Sequence, residues 1–257
     1  MKIDEYEHGV PSWVDLGSPD PQVAADFYTA LFGWECPEGP PETGGYRVCT
    51  IEGVAVAGIG PAQSPGPPVW ATYVDVADAD VTSTRVAAHG GQVIVEPMDV
   101  MDFGRMAVFA DPLGQVISVW QPGTHPGAGL VNEPGTLTWN ELVTNDVDRS
   151  IEFYTAVFGW GTETHGDGPG AYTEWQVGGR SIAGLMLKPP MMPAEVPPHW
   201  AVYFAVADAD VAAARVAELG GSVMLPPTDI EPGRFSVVTD PTGAAFNIIA
   251  VTPERAG

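Results

Sequence analysis

Lysine is almost missing from this 257-residue chain: Lys2 and Lys188 are the only two. Arginine adds little, so Lys plus Arg total 10 against 33 Asp plus Glu, a formal net charge of −23. A chain this acidic has no broad basic face, which excludes nucleic acid and anionic membrane as main partners. Neutral or cationic small molecules remain. No run of about 18 apolar residues occurs, so no helix is expected to span a bilayer. The start, Met1 to His8, lacks the apolar segment of a signal peptide, and a cytoplasmic protein is expected. Cysteine is scarce too: only Cys36 and Cys49 occur, in a stretch read as loop then strand. A disulfide is one reading, and two free thiols in a reducing compartment is the favoured one. Also missing are a G-x-x-x-x-G-K-[ST] phosphate loop, a G-x-G-x-x-G turn opening a helix and a G-x-S-x-G nucleophile elbow. What is present is apolar enough for a large core, with 45% hydrophobic and only 17% charged residues, which excludes a disordered acidic tail.

The chain repeats itself. Phe27-Tyr28-Thr29-Ala30-Leu31-Phe32-Gly33-Trp34 returns as Phe153-Tyr154-Thr155-Ala156-Val157-Phe158-Gly159-Trp160, an offset of 126, and Ser12–Leu16 returns at the same offset as Thr138–Leu142. Asp78-Ala79-Asp80-Val81 returns as Asp208-Ala209-Asp210-Val211, and Gly104-Arg105 and Asp111-Pro112 return as Gly233-Arg234 and Asp240-Pro241. These pairs predict a tandem duplication, 1–128 and 129–257, joined through the Gly- and Pro-rich stretch 122–134. Each half divides again, into units of about 10–65 and 68–122, then about 134–189 and 198–252. In the first unit a strand over 13–16 precedes a helix that Asp20 caps and Pro21 opens. Val23, Phe27 and Leu31 share helical spacing, and Gly33 ends the helix. Strands over 46–51 and 54–60 follow. The second unit reads as strand 71–76, helix 80–89 stopped by Gly90-Gly91, then strands 92–96, 105–110 and 116–121. The order is strand, helix and about three strands, four times over. One such unit is too small to close a core, so units must pair.

In these motifs the chain resembles the vicinal oxygen chelate superfamily, the group of glyoxalases, bleomycin resistance proteins and extradiol dioxygenases. The carrying residues are Asp20 with Phe27-Tyr28 and Phe32-Gly33, Asp146 with Phe153-Tyr154 and Phe158-Gly159, and the turns Asp111-Pro112-Leu113-Gly114 and Asp240-Pro241-Thr242-Gly243. It is most similar to tandem-duplicated, glyoxalase-like proteins of actinomycetes. The resemblance implies an α+β fold of four βαβββ modules pairing into two glyoxalase-like half-barrel domains. It also implies where metal ligands stand in metal-using relatives. A first-strand histidine fourteen positions before the Phe-Tyr pair would fall on Trp13 and Trp139. The second-module position falls on Ala71 and Ala201, and the glutamate after the turn falls on Ser118 and Asn247. Neither 54–60 nor 181–187 holds Asp, Glu or His. The expectation is therefore no metal, no cofactor, and neither glyoxalase I nor extradiol chemistry, which need one.

Strand alternation then places Asp15 beside Trp13 and Glu141 beside Trp139 in a presumed cavity, with Ala71, Tyr73 and Asp75 on one face and His199, Ala201 and Tyr203 on another. Trp13 and Trp139 are read equally as plugs of a lost metal site or as platforms for an organic ligand. Asp15 and Glu141 are either held carboxylates near a strand end, or a general base or an anchor for a cationic or hydroxylated ligand, Glu141 being the stronger candidate. His199, Tyr73 and Tyr203 are candidate proton donors or wall residues; Asp75, Ser118 and Asn247 complete the candidate lining. Arg105 and Arg234 are expected to partner the inward carboxylates. His8, His89, His125 and His165 are expected to be solvated, and Met191-Met192 to lie in a linker or flexible lid over 189–198. Two functions follow. One is metal-independent binding of a small aromatic or cationic molecule. The other is a tailoring enzyme acting on a carbonyl, epoxide or polyketide-like metabolite. A dead relative turned structural protein is the third. A monomer is expected, with a homodimer open.

Overall fold

A computed structural model describes residues 1–63 and 65–252. Ser64, in the expected 61–68 linker, and residues 253–257 of the second expected half lie outside the described residues.

The first half runs β1 (Pro11–Ser18), α1 (Pro21–Phe32), β2 (Arg47–Ile51), β3 (Val54–Pro61), β4 (Val69–Asp75), α2 (Ala79–Ala88), β5 (Gln92–Val100), β6 (Gly104–Ala110) and β7 (Val116–Pro122). The second runs β8 (Leu137–Thr144), α3 (Val147–Phe158), β9 (Gly161–His165), β10 (Tyr172–Val177), β11 (Arg180–Leu187), β12 (His199–Ala205), α4 (Ala209–Glu218), β13 (Ser222–Ile230), β14 (Gly233–Thr239) and β15 (Ala245–Val251). Helix starts follow the capping chemistry. Asp20 accepts from the backbone N–H of Gln22 and Val23, and Asp146, Asp78 and Asp208 each accept from the third residue beyond. Gly33 and Gly159 end α1 and α3 with left-handed φ of 76° and 74°. The buried stripe of α1 is Ala24, Ala25, Phe27 and Tyr28; Val23, expected on it, is exposed.

The first sheet has the order β2-β3-β1-β4-β7-β6-β5 and the second β13-β14-β15-β12-β8-β11-β10-β9. In each, two units join through an antiparallel central pair, β1–β4 and β8–β12. The mixed α+β class and two tandem glyoxalase-like halves are as expected. One unit departs from the pattern. Where the third unit has β9, the first has a single bridge, Glu35 to Thr50. Pro37, Pro40 and Pro41 follow it and cannot donate to a ladder. That bridge sets Cys36 against Cys49, Cα atoms 4.2 Å apart, and the two are disulfide-bonded. The expectation of free thiols is thereby corrected: strand pairing closes a contact that the spacing alone left open.

The helix-bearing faces of the two sheets meet, and the cores are shared between halves. One cluster joins Phe27, Tyr28 and Trp34 to Phe204, Phe246 and Ile248; the other joins Val74, Phe109 and Ile117 to Phe153, Tyr154 and Trp160. Matching hydrogen bonds cross the seam. Tyr28 donates to Asp240 at 3.3 Å and Tyr154 to Asp111 at 3.1 Å, while Trp34 donates to the Gly135 carbonyl and Trp160 to that of Gly9, both at 2.7 Å. The opposite face of each sheet, here called its cup, carries the alternate side chains of the central strands.

Candidate functional site

Residues alternate across β1 and β8. Val14 and Leu142 point into the shared cores, and Asn140 accepts from Thr72 of the other half at 2.8 Å. The alternate positions, Trp13 and Asp15 or Trp139 and Glu141, therefore face the cups. In the first cup the Trp13 indole donates to the Tyr46 hydroxyl at 2.9 Å. Tyr46 and Tyr73 donate to the same oxygen of Asp15, at 3.1 and 3.0 Å. In the second, Trp139 donates to Tyr172 at 2.9 Å and Tyr203 to Glu141 at 2.8 Å, with Tyr172 also hydrogen-bonded to Glu141. One network of tryptophan, two tyrosines and a carboxyl group is built twice.

Glycine makes the network possible. Gly58 lies opposite Asp15 and Gly184 opposite Glu141 in the parallel pairs β1–β3 and β8–β11. A Cβ on Gly58 would stand 1.9 Å from the Tyr46 hydroxyl, and one on Gly184 2.0 Å from that of Tyr172. The tyrosines reach the carboxyl groups by crossing bare backbone. Burial pushes both acids up, Asp15 to about 6, against the lowering effect of the tyrosine hydrogen bonds. Burial and the carboxyl charge together hold the hydroxyls of Tyr46, Tyr73 and Tyr203 well above their ordinary value, so they stay protonated donors.

Tyr46 and Tyr172 were missed from sequence. Their separation of 126 was a usable signal, since it matches that of the tryptophans. Of the expected residues, Trp13, Asp15, Tyr73 and Ser118 come together in one cup, Ser118 bonding Tyr73. Trp139, Glu141 and Tyr203 come together in the other. Asn247, opposite Tyr203, donates to the Val202 carbonyl at 3.3 Å. His199 stands apart: it opens β12 opposite Val143, and its Nδ1 lies 2.9 Å from the Pro197 carbonyl. Asp75 is buried beneath the N-terminal segment, 2.6 Å from His8 Nδ1, so His8 is not merely solvated.

Two further expectations are corrected. Arg105 binds Asp80 and Asp99, and Arg234 binds Asp210 and Asp229, all near the surface. They serve the helix starts and not the cup carboxyls, which tyrosines already satisfy. His125 is not solvated. Its ring meets Trp13 edge-on at 4.5 Å, and its Nε2 is buried without a partner among the described residues. Burial holds its pKa down.

The cups differ in cover. Ile3, Ala128 and Val131 pack on Trp13, Tyr73 and Trp120, and Tyr6 donates to the Ala128 carbonyl at 2.7 Å, so the first cup is roofed by its own chain. Trp13 is only 4% exposed. Over the second cup no such segment lies among the described residues, and Trp139 is half-buried. Met191, in the neighbouring loop, is 87% exposed.

The strand positions that hold metal in relatives carry Trp13, Ala71 and Ser118, or Trp139, Ala201 and Asn247. Each network offers one carboxyl group already receiving tyrosine hydrogen bonds, a donor set that does not fit a divalent ion. Glu163, His165 and Glu174 form a separate group at the exposed edge, on β9 and β10. Glu163 accepts from Gln176 and Glu174 from Ser181.

Among the described residues no helix is long and apolar enough to cross a membrane. A family model described as the Glyoxalase/Bleomycin resistance protein/Dioxygenase superfamily matches residues 11–119 and 136–248. The chain is 43% identical over 263 residues to "Putative glyoxylase CFP32" of Mycobacterium tuberculosis (strain CDC 1551 / Oshkosh), covering 99% of each chain. It is 40% identical to "Anthracycline biosynthesis protein DnrV" of Streptomyces peucetius, covering 96% of this chain and 95% of that one. Among solved structures it is similar to the Mn(II)-bound glyoxalase from Novosphingobium aromaticivorans, with TM-score 0.65 and 18% identity over 95% of this chain and 82% of that one. The 2,3-dioxygenase LapB from Pseudomonas sp. KL28 gives TM-score 0.67 and 14% identity, covering 97% and 96%. Those two likenesses concern the fold. The matched motifs in both halves, with relatives that align along nearly their whole length, make this chain a member of the Glyoxalase/Bleomycin resistance protein/Dioxygenase superfamily.

Proposed function

We propose that the chain binds a small, planar, hydroxyl- or carbonyl-bearing organic molecule in its second cup, without a metal ion. The carrying observation is Trp139, half-buried beside the Tyr172–Glu141–Tyr203 network in a cup that the described chain does not roof. An aromatic wall supplies contact area, and a few fixed polar groups orient the ligand. The name of the Streptomyces relative, with its reference to anthracycline biosynthesis, favours a polycyclic aromatic metabolite. Metal independence rests on the donor set: at the family's ligand positions stand an indole, a methyl group and an amide. Calorimetric titration of chelator-treated protein with hydroxylated polycyclic aromatics tests this reading. One molecule should bind per chain, and Trp139→Ala should weaken it by about tenfold or more. Binding that needs added Mn²⁺, Ni²⁺ or Fe²⁺ would overturn it.

A second reading, catalysis, has one observation in its favour: Asp15 is pushed to about 6 and Glu141 moves the same way, toward the range of a working acid or base. Glu141 would take or give a proton, with Tyr203 as hydrogen-bond donor. Under this reading Glu141→Gln abolishes turnover and spares binding; unchanged turnover removes Glu141 from the mechanism.

A further inference from the structure

We propose that a guanidinium-bearing small molecule binds in a groove on the helix side of the second sheet, in the place that the first half fills with its own Arg47. The two places correspond residue by residue. Arg47 pairs with Ile59 across β2–β3, and Thr173 pairs with Leu185 across β10–β11. Ile59 and Leu185 in turn pair with Leu16 and Leu142. Gln22 and Asp148 are each the second residue of their helices, α1 and α3.

In the first half Arg47 is 8% exposed, its guanidinium donating from Nη2 to Gln22 Oε1 at 2.8 Å and from Nη1 to the Cys36 carbonyl at 3.0 Å. In the second half Thr173 replaces Arg47, and its hydroxyl turns 2.9 Å to that of Thr164. Thr173 and Asp148 both line an open groove of about 610 Å³. Its polar wall is Asn145, Asp146 and Asp148, and its apolar wall includes Val147, Ile151 and Leu187. The neutral acceptor Gln22 has become the carboxylate Asp148, which makes no ion pair among the described residues.

The duplication thus keeps one of Arg47's two acceptor positions, as Asp148, gives it charge and removes the cation that used it, while Thr162, which matches Cys36, stands outside the groove. A guanidinium from outside restores the pairing, with charge-assisted hydrogen bonds in place of neutral ones. Its alkyl stem lies along Ile151 and Leu187. The positive end of α3 disfavours a cation, but Asp146 and Asp148 oppose that field with full charges. In the first half a guanidinium is held at the same helical turn with amide and carbonyl acceptors alone. The chain's net charge of −23 draws cations toward it.

The test is calorimetric titration of the full chain with agmatine, and with a neutral urea analogue of the same length. Agmatine should bind once per chain, and the urea analogue at least about tenfold more weakly. Asp148→Asn should weaken agmatine by about tenfold, and the double change Asp148→Gln with Thr173→Arg, which copies the first half, should abolish binding with the circular dichroism spectrum intact. Absence of binding up to about 10 mM agmatine, or equal binding of the urea analogue, would overturn the proposal. So would undiminished binding by Asp148→Asn, which decides the matter even if the double variant fails to fold. The groove lies on the opposite face of the sheet from the cup. Aromatic ligands should therefore titrate the cup alike with and without saturating agmatine, so either reading can fail alone.

Discussion

Tyr46 and Tyr172 decide what the cup carboxyls can do. Each closes a hydrogen-bond chain from an indole to an acid, and each crosses a glycine to do so. Gly184→Ala puts a methyl group 2.0 Å from the Tyr172 hydroxyl, so that side chain must leave. Thermal unfolding and ligand titration should both register the change, with binding weakened more than tenfold on the order of a lost buried contact pair. The acids make a separate prediction. Asp15 ordinarily titrates near 3.8 and is raised to about 6 in the fold. A raised acid favours the folded state in its protonated form, so its contribution is fully present below about pH 3.8 and is lost as pH rises through 6. Asp15→Asn should therefore gain stability relative to the parent between pH 4 and 7, by about 3 kcal/mol at most. Denaturant curves at each pH check it; a difference flat with pH would contradict the burial of that charge. The family resemblance marked Trp13 and Trp139, and alternation along β1 and β8 set Asp15 and Glu141 on the same faces. Tyr46 and Tyr172 repeat at the spacing of the tryptophans, but their role was not legible, because it depends on the parallel pairings β1–β3 and β8–β11 that no local pattern specifies.

Among the elements, the first unit's missing edge strand and its disulfide belong together. Prolines stop the edge after one bridge, and the Cys36–Cys49 bond holds what remains. The third unit has a full strand there and uses Trp175, fully buried, at the position matching Cys49. Replacing both cysteines with serine should cost about 3 kcal/mol, the value for a closed loop of this length. Urea unfolding of the oxidised protein and the double variant measures it. A negligible difference would mean that the bridge adds nothing to the strand pairing. Helix ends were readable because Asp caps and Gly stops are local chemistry. The disulfide was not, because two cysteines thirteen apart meet only once Glu35 and Thr50 have paired.

At the scale of the molecule, the motifs that reveal the family are the seam between its halves. Tyr28 and Tyr154 sit in the repeated Phe-Tyr pairs, and Asp240 and Asp111 open the repeated Asp-Pro turns; each tyrosine bonds the other half's aspartate. Repetition in the sequence announced four units and two halves. It could not say that the first and fourth units, and the second and third, would share cores. Residues 1–132 expressed alone should therefore aggregate or self-associate, since Tyr28, Trp34 and Trp70 would lose Phe204 and Phe246; co-expression with the remainder should restore one folded species. A stable monomeric half would contradict the shared cores. Back-to-back packing also turns both cups outward, one roofed by its own chain and one with no such segment over it among the described residues, and this difference carries the functional reading. The most direct measurement is calorimetric titration of chelator-treated protein with hydroxylated polycyclic aromatics, run beside Trp13→Ala and Trp139→Ala. One site per chain, lost with Trp139 and kept with Trp13, is the predicted result. Binding that appears only when a divalent metal is restored, or that follows Trp13 instead, would contradict it.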